Sequence, residues 1–358
     1  MHKILIMTCF PSLIRKWYQK HGRELPWRET SDPYKIWISE VILQQTQVKQ
    51  GLNYYLRFIR SFPDVSSLAK ASERQIMQHW QGLGYYSRAR HLHSAAKSIV
   101  SEQNGLFPQT YKKILKLKGV GPYTAAAIAS IAFGEPFPVV DGNVFRVLSR
   151  LLASPLPIDT TEGKKYFQTK AQHFLDLNDP GTHNQAMMEL GALICKPIAP
   201  LCHQCPVVSL CKAAAAGQQS RYPVKSKKTT RKKRWLHYLI ISKQGCSVIQ
   251  KRKANDIWKS LYQFPLIETP TSATIGQIRE KVQQSFATDL KIKKLLQAKH
   301  LLTHQELNTV FYKVIWPEDM ALPETFQLEQ LEMINNKEIV EIPFPQIIQK
   351  NLETLIKP

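Results

Sequence analysis

At 358 residues the chain is long enough to bury two cores and too long to pack well around one, and its 43% hydrophobic content is that of a globular protein. Lys and Arg outnumber Asp and Glu by 49 to 27, a net charge of +22 spread along the whole length, which favours a polyanionic partner over a merely basic surface. No uninterrupted apolar run approaches the ~20 residues of a membrane helix, and the apolar start, Met1 to Phe10, has no small-residue cleavage site, so the expectation is a cytoplasmic protein without a membrane partner.

From Pro11 to about Lys212 apolar residues recur at three- and four-residue spacing between Gly and Pro turns, which predicts an all-α half. Asp32-Pro33 is a helix start, with Asp as cap and Pro in the first turn, and the helix is expected to run to about Gln47. Glu40 shares a face of it with Ile36, Trp37 and Leu43. A carboxyl so flanked is either desolvated, with a raised pKa that suits a proton donor, or an ordinary surface or ion-paired Glu. Gly82-Leu83-Gly84-Tyr85-Tyr86, followed by Arg88 and Arg90, mixes turn, aromatic and basic residues; the tyrosines fit base stacking and core packing equally.

Leu117-Lys118-Gly119-Val120-Gly121 precedes an alanine-rich helical run from Tyr123 to Ala132. A bare Gly-x-Gly fits a plain helix–helix turn, but on a basic chain with a cysteine loop it reads as a helix-hairpin-helix clamp whose backbone N–H groups grip a phosphate. Asp141 follows the extended Phe137-Pro138-Val139-Val140 and precedes a helix from Val144 to Leu152. Its carboxylate is expected to be held in the ionised form by that N-terminus, whether or not it is only a cap. One raised and one lowered carboxyl is the arrangement that divides acid from charge stabiliser in glycosidic bond cleavage.

Four of the six cysteines, Cys195, Cys202, Cys205 and Cys211, are separated by six, two and five residues. Four thiols on one short loop imply a metal centre in a reducing compartment, and the single Cys-x2-Cys pair favours iron–sulfur modestly over zinc. A basic linker follows (residues 213–234), with seven Lys or Arg between Lys225 and Arg234. Beyond it, Trp235 to Ile241 and Cys246 to Gln250 predict a hairpin, Ile275 to Phe286 a helix and Thr309 to Ile315 a strand, making residues 235–358 a smaller α+β domain after the helical domain of residues 1–212.

Taken together, Ser39-Glu40-Val41-Ile42-Leu43-Gln44-Gln45-Thr46-Gln47-Val48, Leu25-Pro26-Trp27-Arg28, Gly119-Val120-Gly121-Pro122-Tyr123, Val140-Asp141-Gly142-Asn143, Asn184 to Gly191 and the cysteine loop resemble the adenine DNA glycosylases of the MutY family. The resemblance implies a [4Fe–4S] cluster on Cys195, Cys202, Cys205 and Cys211, protonation of adenine by Glu40, stabilisation of the sugar cation by Asp141, and Tyr123 and Asn143 beside them. It implies that Arg23, Leu25, Trp27, Leu43 and Gln185 line a pocket for a flipped adenine, while Gln45, Thr46, Leu83 and Tyr85 probe the stack around the opposite base. Gly119 and Gly121 would hold the DNA backbone. The second half resembles the family's Nudix-like reader of 8-oxoguanine, through Lys253 to Pro265 and a Leu302-Thr303-His304 segment where the family commonly has Phe-Ser-His. The acidic motif of hydrolytic Nudix domains is absent. The implied partner is duplex DNA carrying A opposite 8-oxoguanine or G, and the implied enzyme a monomer associated with the bacterial nucleoid. Endonuclease III-type enzymes carry a lysine nucleophile where this chain has Tyr123, which disfavours a bifunctional glycosylase/lyase, and the presence of both Glu40 and Asp141 disfavours a non-catalytic iron–sulfur DNA-binding protein.

Overall fold

The computed structural model describes residues 2–226, 230–252, 256–286, 289–317 and 331–357, the side chains of residues 2–8 excepted. Lys227, Lys228 and Thr229 of the basic linker and Lys253, Ala254 and Asn255 of the Nudix-like motif lie outside the described residues. The chain forms two compact units: Met1–Ala71 with His91–Lys228, and Ser72–Arg90 with Thr229–Pro358. The division does not follow a single cut along the sequence.

The first unit is helical. It contains α1 (His2–His21), α2 (Pro33–Leu43), α3 (Val48–Ser61) and α4 (Val65–Lys70). After α5 (Glu73–Trp80), which belongs to the other unit, α6 (Ser87–Gln103) brings the chain back. Then follow α7 (Tyr111–Ile114), α8 (Pro122–Phe133), α9 (Gly142–Leu152), α10 (Thr161–Phe174), α11 (Pro180–Leu193) and α12 (Lys212–Ala215). Its main apolar cluster joins Phe10, Ile14 and Trp17 of α1 to Val147, Leu148 and Leu151 of α9, Phe167 of α10 and Leu190 of α11. α2 and α8 are buried along nearly their whole length, as expected for helices apolar on every face.

Two boundaries differ from the sequence pattern. α1 reaches back to His2 through Pro11. α2 stops at Leu43 instead of Gln47, because Gln45 takes a left-handed φ of 57° that a right-handed helix cannot continue, and α3 restarts at Val48.

The second unit is built on β1 (Lys232–Lys243), which forms the predicted hairpin with β2 (Cys246–Lys251). β3 (Tyr262–Gln263) extends β2, and β4 (Leu266–Thr269) lies antiparallel to the first half of β1. After α13 (Ile275–Phe286), β5 (Lys291–Leu301) pairs with β6 (Gln305–Ile315), which runs parallel to β1. β7 (Leu331–Asn335) pairs with β2. Alternation along β1 sends Leu236, Tyr238 and Ile240 into a core with Phe311, Phe344 and Ile348, and Leu239 and Ile241 into another with Ile278 and Val282 of α13. The sheet is therefore covered on both faces. Residues 72–90 attach to this unit through Gln78 Nε2, which donates to the Glu341 carbonyl at 2.8 Å, and Arg90 Nη1, which donates to the Lys259 carbonyl at 2.5 Å.

Candidate active site

Asp32 caps α2 by accepting from the Tyr34 N–H at 2.9 Å, which fixes the helix phase and turns Glu40 inward, where it is 6% exposed. Burial pushes the Glu40 carboxyl up to about 7; a hydrogen bond from Tyr123 opposes the shift, and the charge of Asp141 adds to it. The Tyr123 hydroxyl, in the first turn of α8, donates to Glu40 Oε2 at 2.6 Å.

Asp141 caps α9. Its Oδ1 accepts from the Val144 N–H and its Oδ2 from Asn143 Nδ2, each at 2.7 Å. The carboxyl is nonetheless not held low, as its place at a helix N-terminus predicts: burial raises it, and the hydrogen bonds from Val144 and Asn143 and the charge of Arg146 only oppose that rise. Desolvation outweighs the helix end here. Asn143 Oδ1 in turn accepts from Arg146 Nη2 at 2.8 Å, and Arg146 Nε reaches the Cys195 carbonyl at 2.6 Å.

Glu40, Asp141, Tyr123 and Asn143 line one cavity with Arg23, Leu25, Trp27, Leu43, Thr46 and Gln185. Sequence reading missed Arg28, Ser39, Met188 and Glu189, which also line it. The signal for Glu189 was the lone carboxylate of α11, set between the apolar Met187-Met188 and Leu190. Arg23 Nε and Nη2 donate to Glu189 at 2.7 and 2.6 Å and Arg28 Nη2 at 2.8 Å. Burial alone would raise this carboxyl; the two guanidinium groups hold it at about 2. Gln45, in the turn beyond α2, is not among the lining residues.

Leu83, Tyr85, Thr303 and His304 line a different cavity, inside the second unit, with Trp258, Lys259 and His300. The Tyr85 and Thr303 hydroxyls are hydrogen-bonded to each other. Arg88 lies against the Tyr85 ring and donates to the Gly84 carbonyl at 3.1 Å, bracing the turn that carries Leu83. In the hairpin before α8, Gly119 has φ +80° and a Cβ there would fall 2.5 Å from His91 Cβ, while Gly121 is the N-cap residue of α8.

Cys195, Cys202, Cys205 and Cys211 line one pocket with apolar Val147, Leu151, Ile194 and Val207. Burial raises the Cys205 thiol to about 11 and raises Cys211 as well. Among the described residues no three His, Cys, Asp or Glu groups are arranged to hold a single metal ion. Arg150 Nη1 donates to Cys195 Sγ at 3.3 Å and to the Lys196 carbonyl at 2.7 Å. Among the described residues no helix is long and apolar enough to cross a membrane.

A helical unit with a Gly-x-Gly hairpin and a cavity lined by three carboxyls defines a base-excision DNA repair protein: residues 38–173 match the HhH-GPD superfamily of base excision DNA repair proteins, and residues 237–354 match the NUDIX domain. The adenine DNA glycosylase of Buchnera aphidicola subsp. Schizaphis graminum is 34% identical over 98% of this chain and 99% of its own length. The human adenine DNA glycosylase is 44% identical over 60% of this chain and 41% of its own. The fold is similar to that of a thermostable thymine-DNA glycosylase, with a TM-score of 0.56 and 28% identity over 60% of this chain and 100% of that one. The chain belongs to the adenine DNA glycosylase family, and is an enzyme of base-excision repair that acts on DNA and hydrolyses N-glycosyl bonds.

Because the Glu40 carboxyl is raised to about 7 in the folded chain, the fold takes up a proton that the unfolded chain releases near pH 4 to 5, and stability falls as pH rises across that window. Glu40→Gln removes this liability. At pH 8 the variant is expected to be more stable by about 3 kcal/mol, with the gain vanishing near pH 4, as measured by denaturant melts at the two pH values.

Proposed function

We propose that the chain excises adenine lying opposite 8-oxoguanine or guanine, with Glu40 as the acid and Asp141 as the stabiliser of the sugar cation. The observation that carries this reading is that both carboxyls line one cavity and are held in different ways. Glu40 is desolvated enough to keep a proton near neutrality, and since Tyr123 donates to Oε2, that proton sits on Oε1, free for a ring nitrogen of the flipped base. Asp141 is pinned at both oxygens, so its charge needs no reorganisation when the glycosidic bond breaks and the sugar becomes oxocarbenium-like. No lysine lines the cavity among the described residues and Tyr123 is no amine, which supports a monofunctional enzyme in which water takes the sugar carbon.

Leu83 and Tyr85 act as the wedge in the stack, with Gln45 and Thr46 at the opposite base, and Gly119 and Gly121 bring backbone N–H groups to a phosphate. The cavity of the second unit takes the opposite base, and Thr303 and His304 supply polar contacts to 8-oxoguanine. Its helix α13 carries a single carboxylate, Glu280, which fits a reader better than a metal-dependent hydrolase. Four soft cysteine sulfurs lining one pocket fit a [4Fe–4S] cluster on Cys195, Cys202, Cys205 and Cys211, and their single Cys-x2-Cys pair favours it over zinc. Such a cluster would order the loop that carries Lys196.

In single-turnover assays on A opposite 8-oxoguanine, the rate is expected to fall as pH rises through about 7, where Glu40 loses its proton, and to fall again at low pH where Asp141 gains one. Glu40→Gln should cost about 10²- to 10⁴-fold in rate with duplex affinity kept; unimpaired excision refutes the acid. Thr303→Ala and His304→Ala should each narrow the preference for A opposite 8-oxoguanine over A opposite G while leaving the slower rate in place, and an unchanged ratio in both removes the lesion reader from this segment. Anaerobically purified protein should be brown and contain iron and acid-labile sulfide; stoichiometric zinc without iron rules out the cluster.

A further inference from the structure

The base cavity of the first unit has a residue behind its wall that neither motif nor carboxylate points to. Tyr18, on α1, is half-buried, and its hydroxyl donates to Gln185 Oε1 at 2.8 Å. The ring is held in place on two sides. The Arg28 guanidinium lies 5.3 Å from its centroid, and Gly22 packs so closely that a Cβ there would fall 2.8 Å from Tyr18 Cε2. Arg28 is itself fixed, donating to Glu189 at 2.8 Å and to the Arg23 carbonyl at 3.0 Å. The hydroxyl therefore has one position, and it occupies the oxygen end of the Gln185 amide.

That choice matters because a primary amide is ambiguous: one end accepts, the other donates, and a half-turn exchanges them. With Oε1 taken by Tyr18, the end left for the cavity is the Nε2 donor. Glu189, the other polar group on α11 at this wall, has both carboxylate oxygens bonded to Arg23 and Arg28. The wall so built turns an N–H donor to the cavity, with the acceptor oxygens of these two side chains engaged by Tyr18, Arg23 and Arg28. It suits an unprotonated ring nitrogen and opposes a base that presents a ring N–H, since two donors face to face leave both unsatisfied in a desolvated site.

We propose that Tyr18 is a positioning residue that fixes the Gln185 amide at the cavity wall with Nε2 toward the base, and so supports the preference of the cavity for a base edge with an unprotonated ring nitrogen. The proposal rests on the assignment of this cavity to the flipped base. A double-mutant cycle in the full-length protein tests it, with single-turnover excision of A opposite 8-oxoguanine as the readout, and melting temperature and duplex affinity as controls. Tyr18→Phe keeps the ring and its packing and removes only the hydroxyl. Tyr18→Phe and Gln185→Ala are each expected to slow excision about tenfold, the worth of one buried hydrogen bond, and the double variant to be no slower than Gln185→Ala alone. Losses that multiply in the double variant, or a Tyr18→Phe rate equal to that of the unaltered protein, overturn the role of Tyr18 and leave the cavity assignment standing. Gln185→Ala at full rate overturns both.

Discussion

The buried guanidinium of Arg146 is the fixed point between the cavity and the cysteine loop. It holds Asn143, and so the Asp141 carboxylate, at one end, and the carbonyls of Gly191 and Cys195 at the other. One turn further along α9, Arg150 holds Cys195 Sγ and the carbonyls of Lys196, Pro197, Gln219 and Tyr222. Two arginines on one short helix thus set the position of a carboxylate and the path of a loop. Both are satisfied chiefly by carbonyl oxygens, which have few alternative donors at such depth, and Arg146 also feels the charge of Asp141.

The electrostatics of the cavity follow from which groups are paired. Glu189 has two guanidinium partners and is kept ionised; Glu40 has one tyrosine hydroxyl and keeps its proton to near neutrality. Asp141 lies between these cases, desolvated but hydrogen-bonded at both oxygens. Three carboxyls in one cavity hold protons of different strength because their partners differ.

Much of this was legible in the sequence where one local rule decides the outcome. The Asp32-Pro33 start gave the first turn of α2 and the face that Glu40 shares with Ile36 and Trp37, though not that this face is buried, and the apolar run from Trp235 to Ile241 before a Gly turn gave the β1–β2 hairpin. The same local logic misjudged Asp141, since a helix N-terminus is visible in a sequence and the depth of burial around it is not. Glu189 and Tyr18 escaped notice because their roles depend on partners far along the chain, Arg23 and Arg28 for one, Gln185 for the other. The strand β5 was also missed: its lysines at 291, 293, 294 and 299 blunt an edge, and that same charge hides the alternation by which strands are recognised.

The detour of residues 72–90 into the second unit has a consequence for synthesis. Emerging from a ribosome, this segment is complete long before its partners exist: Gln78 waits for Glu341, and Arg90 for Lys259. The contacts of this stretch with its own unit are not yet translated, so the last strands and helices act as a late clasp on a segment laid down near the beginning. A folding route of this kind is governed by long-range closure, and it ties the placing of Leu83 and Tyr85 to the arrival of the C-terminus.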